Sequence, residues 1–269
     1  MNTSQNLMWA AVLHEHGPPE NLVVEQIPLP EPGEGEVRVR IAAAAANFPD
    51  VLIMDNRYQV RVPVPFSPGS EFAGTISAVG PGVDRWSVGD DVCGAVMVGA
   101  FAGEVVVSAA GLEAAPAGVE PITTAGFWVA YATAYHSLRS VAKVQPGERV
   151  LVLGAAGGVG MAAVDVARVL GATVVAAAST EAKRAVCLER GAEIAVDYTA
   201  DDFREQLRAA APKGFDVVID PVGGQYSEPA VRSMGFGGRF VTIGYAAGEI
   251  PRIPLNLVLL KGITIMGFA

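Results

Sequence analysis

The apolar positions of this chain change rhythm partway along. From Trp9 to about Val107 they come in short runs, at 10–13, 22–27, 37–41, 75–79 and 105–107, separated by turn-forming stretches at 28–35 and 63–69. Short apolar runs with frequent Gly and Pro punctuation predict a β-rich region. The alanines at 42–46 read as a strand end packed against something close. Residues 123–140 turn helical, which places a domain boundary near Phe127, with 1–127 on one side and 128–269 on the other. Beyond it, strand-like runs at 150–153, 173–178, 194–196, 216–219, 240–243 and 263–266 are interleaved with helical segments, among them 201–211 and 225–234. This alternation predicts an α/β domain with a doubly wound parallel sheet, preceded by a smaller β-rich domain.

The second domain is arranged around residues 149–178, RVLVLGAAGGVGMAAVDVARVLGATVVAAA. A buried strand runs into a glycine turn, then into a helix with Val159, Ala163, Val166, Ala167 and Leu170 on its apolar face, and Gly171 ends that helix before a second strand. Strand, glycine turn, helix and strand within about 30 residues form the βαβ unit that holds a dinucleotide, with the pyrophosphate on the helix N-terminus. Gly157, Gly158 and Val159 open the helix; Gly157 admits the phosphates and Gly160 admits close packing. The fingerprint is irregular, because Ala155 fills its first slot and the glycine comes one residue earlier, at Gly154.

An NAD-specific site carries an acid at the end of the second strand to hold both ribose hydroxyls. Here that residue is Ala178, followed by Ser179, Thr180 and Lys183, so nothing acidic repels a 2′-phosphate and the expected cofactor is NADPH. Lys183 also fits a solvated helix face.

Composition narrows the function. The chain has 269 residues, 51% hydrophobic and 17% charged, and a net charge of −9, which argues against a nucleic-acid surface. No apolar stretch approaches the roughly 20 residues of a membrane span, and residues 1–7 lack the regions of a signal peptide, so a cytoplasmic location is expected. Cys93 and Cys187 lie far apart and outside any C-x-x-C, offering neither a disulfide framework nor a cysteine zinc site.

Six motifs in order carry a resemblance: GSEFAG, AVGPGV with VGDDVCG, AYATAYHSL, QPGERVLVLGAAGGVG, DPVGG and GGRFVTIGYAAG. Together they resemble the medium-chain dehydrogenase/reductase superfamily in its zinc-independent quinone oxidoreductase branch, over residues 8–269. The resemblance implies a GroES-like β-barrel domain, a Rossmann domain and an active-site cleft between them. Zinc-dependent members hold the catalytic metal with a Cys where this chain has Asn47, a His where it has Ser70, and a Cys or Asp where it has Val129; the lobe of structural-zinc cysteines is missing too. No metal is therefore expected, which leaves hydride delivery to an electrophilic acceptor, a quinone or the β-carbon of an α,β-unsaturated carbonyl.

The same resemblance assigns roles. Asn47 would hydrogen-bond the nicotinamide side or the substrate carbonyl, or else cap the turn before Phe48 and Pro49. Tyr58, eleven residues on, matches the tyrosine of enoyl thioester reductases that polarises the carbonyl, or is a packed aromatic. Thr133 matches a threonine that meets the nicotinamide ring, or bonds its own helix turn. Tyr198 is implied as a further phosphate ligand, and the loop containing Gly244 and Tyr245 as facing the nicotinamide. His14, His16 and His136 match no family role. The last strand pairs with its twin in relatives, which implies a homodimer. Relatives commonly continue for several tens of residues beyond this point to complete the first domain, whereas this chain stops at Ala269. An NADPH-dependent quinone or enone reductase is expected, with an enoyl-CoA or enoyl thioester reductase and a non-enzymatic NADPH-binding protein as alternatives.

Overall fold

The structure is a computed structural model and describes residues 6–268. The leader reading of residues 1–7 falls largely outside them, as does Ala269. The chain divides into two units, Met1–Val129 and Ala130–Ala269.

In the first unit a hairpin of β1 (Leu7–Leu13) and β2 (Leu22–Pro28) precedes β3 (Glu36–Ala45), α1 (Phe48–Met54), β4 (Glu71–Val79), β5 (Asp91–Ala95), β6 (Glu104–Ser108), β7 (Leu112–Ala114) and α2 (Pro121–Ala125). Five of these strands form an antiparallel sheet in the order β6-β3-β4-β5-β7. Its core gathers Val37, Val39, Phe72, Ile76, Val92 and Leu112, one side of each strand. The strands β3 and β4 approach closely: a Cβ on Gly74 would lie 2.1 Å from the Arg40 carbonyl oxygen. The alanine run lies at the end of β3, where Ala43 packs on Ala73, Cys93 and Ala125 of neighbouring elements.

Helix α3 (Trp128–Tyr135) carries the division between the units. The helical stretch expected over 123–140 comes in pieces: α2 ends at a Gly126 cap and α3 passes into a π-helical turn, His136–Val141. Beyond it come β8 (Arg149–Leu153), α4 (Gly158–Val169), β9 (Thr173–Ala177), α5 (Glu181–Glu189), β10 (Ile194–Val196), α6 (Phe203–Ala210), β11 (Phe215–Asp220), α7 (Ser227–Arg232), β12 (Met234–Thr242), α8 (Leu255–Lys261) and β13 (Thr264–Gly267). The six strands form one parallel sheet in the order β10-β9-β8-β11-β12-β13. Both faces are covered, so successive residues of each strand serve different cores. Val150 and Val152 meet Ala163 and Ala167 of α4, while Leu151 and Leu153 join the cluster with Leu207 of α6 and Val231 of α7. Two-sided burial is why these strands read as continuous apolar runs. The face of α4 is rotated from the expected one: Ala162, Ala163, Val164 and Ala167 are buried, and Val159, Val166 and Leu170 only half-buried. In addition, β12 begins six residues before the expected run, through the glycine-rich 235–238.

At the carboxyl end of β11 the buried Asp220 organises the turn that follows. Its Oδ1 accepts the Val222 and Gly223 N–H groups, each at 2.8 Å, and its Oδ2 accepts the Ser227 hydroxyl at 2.5 Å. The turn in turn holds the next loop, through Ala247 N–H on the Val222 carbonyl and Gly224 N–H on the Glu249 carbonyl.

Burial pushes the Asp220 carboxyl above its ordinary value of 3.8, against the pull of those donors. The native state then binds more protons than the unfolded chain in the window above 3.8, so this group's contribution falls as pH rises through its raised value. Asp220→Asn keeps the shape and removes the titration. Urea unfolding across pH 4 to 8 should show the stability of the parent, relative to this variant, declining with pH; a constant difference would contradict the assignment.

Candidate functional site

In the second unit the glycine turn forms from backbone contacts. Gly154, directly after β8, has a φ of 58°, and a Cβ there would lie 2.6 Å from Val222 Cγ2. A Cβ on Gly160 would come within 2.2 Å of the Gly154 carbonyl oxygen, which fixes how close α4 starts to the strand end. By contrast, a Cβ on Gly158 would meet nothing within 4 Å. The first intrahelical bond of this turn runs from Met161 N–H to the Gly157 carbonyl, at 2.8 Å. The N–H groups of Gly158, Val159 and Gly160 precede it, in the first turn where α-helices leave donors open. This suits an anion. A dinucleotide pyrophosphate therefore fits the residues present.

The end of β9 is neutral. Ala178 is buried and its N–H bonds the Val196 carbonyl at 3.0 Å. Thr180 caps α5 by accepting the Lys183 N–H at 3.3 Å, leaving the Lys183 side chain exposed; Ser179 is half-buried. Tyr198 packs its ring on Tyr226, with centroids 4.6 Å apart. A residue not singled out from the sequence also lies here: Arg184 donates to Asp197 at 2.7 Å and to the Ala178 carbonyl at 3.2 Å. Hydrogen bonds from Thr199 hold the Asp197 carboxyl below its ordinary value, with Arg184 adding to the effect.

In the first unit Asn47 caps α1 immediately after β3. Its backbone N–H donates to Asp50 Oδ2 at 2.7 Å, and its side-chain Nδ2 donates to Glu71 Oε1 at 2.8 Å. The other Glu71 oxygen accepts the Val129 N–H, also at 2.8 Å. Asp50 and Glu71 are both almost wholly buried, and burial pushes both carboxyls above their ordinary values. For Glu71 the donors Val129 and Asn47 oppose the rise. Asp50 Oδ1 and Ser70 Oγ are buried without a partner in good hydrogen-bond geometry. The three positions where zinc-dependent relatives carry ligands thus hold an amide whose nitrogen faces a carboxylate, a hydroxyl and an apolar side chain. A zinc ion needs four converging N, S or O donors, and this set does not fit one. Among the described residues no group of three or more His, Cys, Asp or Glu side chains is placed to hold a metal.

The remaining sequence-selected residues are distributed as follows. Tyr58 is half-buried against the cluster of Leu13, Ile53, Met54 and Phe66, outside the network around Asn47. Thr133 is half-buried on α3. Gly244 and Tyr245 open the loop after β12, where Tyr245 lies over Gly223: a Cβ on Gly223 would be 2.8 Å from the Tyr245 ring. Glu71 and Asp50 were not selected. Their signal was an acid opening an apolar strand, GSEFAG, and an acid three residues past a helix cap.

Comparison with known proteins places these features. Residues 33–146 match the alcohol dehydrogenase GroES-like domain, and residues 158–269 match the zinc-binding dehydrogenase family. Quinone oxidoreductase-like protein 2 of Mus musculus is 38% identical over 223 residues, 82% of this chain; the chain thus spans 64% of the length of that relative. Among solved structures, Escherichia coli quinone oxidoreductase complexed with NADPH is 28% identical with a TM-score of 0.91, over 97% of this chain and 81% of that one. CurK enoyl reductase is 30% identical with a TM-score of 0.87, over 98% of this chain and 81% of that one. With a GroES-like domain followed by a Rossmann sheet and these relatives along both, the chain belongs to the medium-chain dehydrogenase/reductase superfamily.

Proposed function

We propose that this chain is an NADPH-dependent, metal-free oxidoreductase that reduces a quinone or another α,β-unsaturated carbonyl. The observation that carries the reading is the Glu71 carboxylate, both of whose oxygens are taken by Asn47 and the Val129 amide where zinc-dependent relatives assemble a metal. A donor set of this kind supplies no Lewis acid, so the acceptor has to be electrophilic already. The cofactor supplies the hydride when bound. The α4 N-terminus would receive its pyrophosphate, with Ser179, Lys183 and Tyr198 about its 2′-phosphate and Thr133, Gly244 and Tyr245 near its nicotinamide. Asn47 would hold the carbonyl or the nicotinamide side. Tyr58 would supply a proton to the developing enolate.

Reduction of an enoyl thioester uses the same chemistry, and the likeness to CurK enoyl reductase favours it as a second reading. The cationic groove of the second unit does not serve it. That groove, about 510 Å³ and lined by Arg204, Arg208, Lys213, Arg232 and Lys261, opens at the amino ends of β11 and β12, whereas nucleotides bind at the carboxyl ends of such strands.

NADPH consumption should be measured against a quinone, a 2-enal and crotonyl-CoA, with zinc determined on the same preparation. Turnover of the quinone or enal, unchanged by chelator and without stoichiometric zinc, is expected. Preference for crotonyl-CoA would select the thioester reading; binding of NADPH without turnover of any acceptor would select a binding protein.

The strand end sets a second expectation. Exposed charge contacts such as that of Lys183 contribute about 1 kcal/mol or less each, and two or three together give about a tenfold preference for NADPH over NADH. Lys183→Ala should weaken NADPH and spare NADH. Ala178→Asp should abolish or reverse the preference by repelling the 2′-phosphate. Fluorescence titration of both cofactors at two salt concentrations reads these effects, and equal affinities in the parent would overturn the assignment.

A homodimer is proposed as well. The strand β13 lies at a sheet edge with Ile265 exposed, beside an α8 that exposes Leu255, Leu259 and Leu260. Light scattering should give twice the chain mass, and Ile265→Lys should lower it; a monomeric parent would refute the proposal.

A further inference from the structure

The Glu71 side chain does more than fill the space around a family metal position. An ionised carboxylate only accepts hydrogen bonds, so a buried one selects which end of a neighbouring group can face it. Glu71 is 1% exposed, and its two acceptors are matched to donors from segments 24 and 58 residues away in the chain. One donor is a backbone N–H, that of Val129, and cannot be exchanged for an acceptor. The other is the Asn47 amide, which can rotate by half a turn and offer either end. With the carboxylate opposite it, the nitrogen must face Glu71; the Ala45 carbonyl, 3.5 Å away on the same side, favours the same orientation. The Asn47 backbone is fixed independently through Asp50. The residue is held at both its main chain and its side chain: the Asp50 backbone N–H lies against the Asn47 side chain in a capping box and calls for its oxygen, and the Glu71 carboxylate on the other side calls for its nitrogen, so the two act together on the orientation of the amide.

We propose that Glu71 is a positioning residue: it takes the place of a metal in tying Asn47 to the segment of Val129, and it determines which end of the Asn47 amide is offered to a bound molecule. The proposal rests on the reading of Asn47 as a site residue. Glu71→Gln has nearly the same shape, yet only one of its two ends accepts. The Val129 N–H claims that end, the Gln amide nitrogen then faces Asn47, and the Asn47 amide turns over.

Two measurements test this. The first uses the ligand-free protein and needs no activity. In nitrogen-15 spectra the side-chain NH₂ pair of Asn47, identified by its disappearance in Asn47→Ala, should be slow to exchange in the parent and shifted and fast to exchange in Glu71→Gln. A parent pair that already exchanges freely refutes the proposal. The second is a double-mutant cycle on the acceptor that turns over. Because small misplacements of a positioned group are costly, Glu71→Gln should lower kcat about ten- to a hundredfold while leaving the KM for NADPH within about twofold. In the Asn47→Ala background the same substitution should have little further effect, since it acts through Asn47. Losses that multiply in the double variant would show that Glu71 acts elsewhere and overturn the proposal. The swapped pair Asn47→Asp with Glu71→Gln restores the hydrogen bond with its ends reversed; it should recover the melting temperature but not kcat, whereas recovery of both would reduce Glu71 to a structural tie. If the spectra behave as expected but no acceptor is turned over, the functional reading fails and the positioning by Glu71 stands.

Discussion

Where β8 ends, the chain has to turn back over its own sheet within a few residues, and the backbone sets how tightly it can do so. The Gly154 carbonyl oxygen stands where any side chain on Gly160 would have to be, and Gly154 itself turns through a left-handed conformation against Val222. From that contact the rest of the second unit follows. Helix α4 lies flat enough to bury its alanines against β8 and β9, and its first N–H groups stay over the carboxyl end of the sheet. Larger residues on that face would lift the helix and move the anion-binding end away from the strands.

Each unit also uses a buried acid as a fastener. A carboxylate removed from water requires donors, and donors drawn from different segments are tied together by meeting that requirement. Asp220 joins the end of β11 to α7 and, through the turn it shapes, steadies the loop after β12. Glu71 joins β4 to the cap of α1 and to the start of α3. In both cases burial opposes ionisation while the surrounding donors favour it, so the donors drawn from separate segments offset part of the cost of burying the acid.

How much of this could be read from the sequence depended on burial. Strands covered on both faces leave continuous apolar runs, and β8, β9 and β11 stand within a residue or two of where those runs lie. The start of β12 was hidden because Gly235, Gly237 and Gly238 interrupt the apolar Met234 and Phe236 and break up the run. Two short helices escaped for opposite reasons. In α1 seven residues opening with Phe48 and Pro49 are too few to show a period, and in α8 Leu257 is buried while Leu255, Leu259 and Leu260 are exposed, so the leucines mark no single face. The cofactor half of the site was legible because glycine turns and strand ends have fixed offsets. The Asn47 half was legible only as a list of missing ligands; that a carboxylate one residue after Ser70 joins two of those positions is a fact of three-dimensional pairing, and no spacing rule announces it.

The order of strands in the parallel sheet bears on how the chain reaches this state. The central strand β8 pairs on one side with β9, a short distance along the chain, and on the other with β11, where Val150 meets Val217, 67 positions further on. During synthesis the half-sheet of β8, β9 and β10 is therefore complete while the inner edge of β8 is still unpaired and fully apolar. Closing that gap means bringing distant segments together, the slow step in parallel sheets and the one most open to pairing with the wrong strand. The inner edge of β8, fully buried in the native sheet, thus has to wait for a partner from well beyond its own βαβ unit.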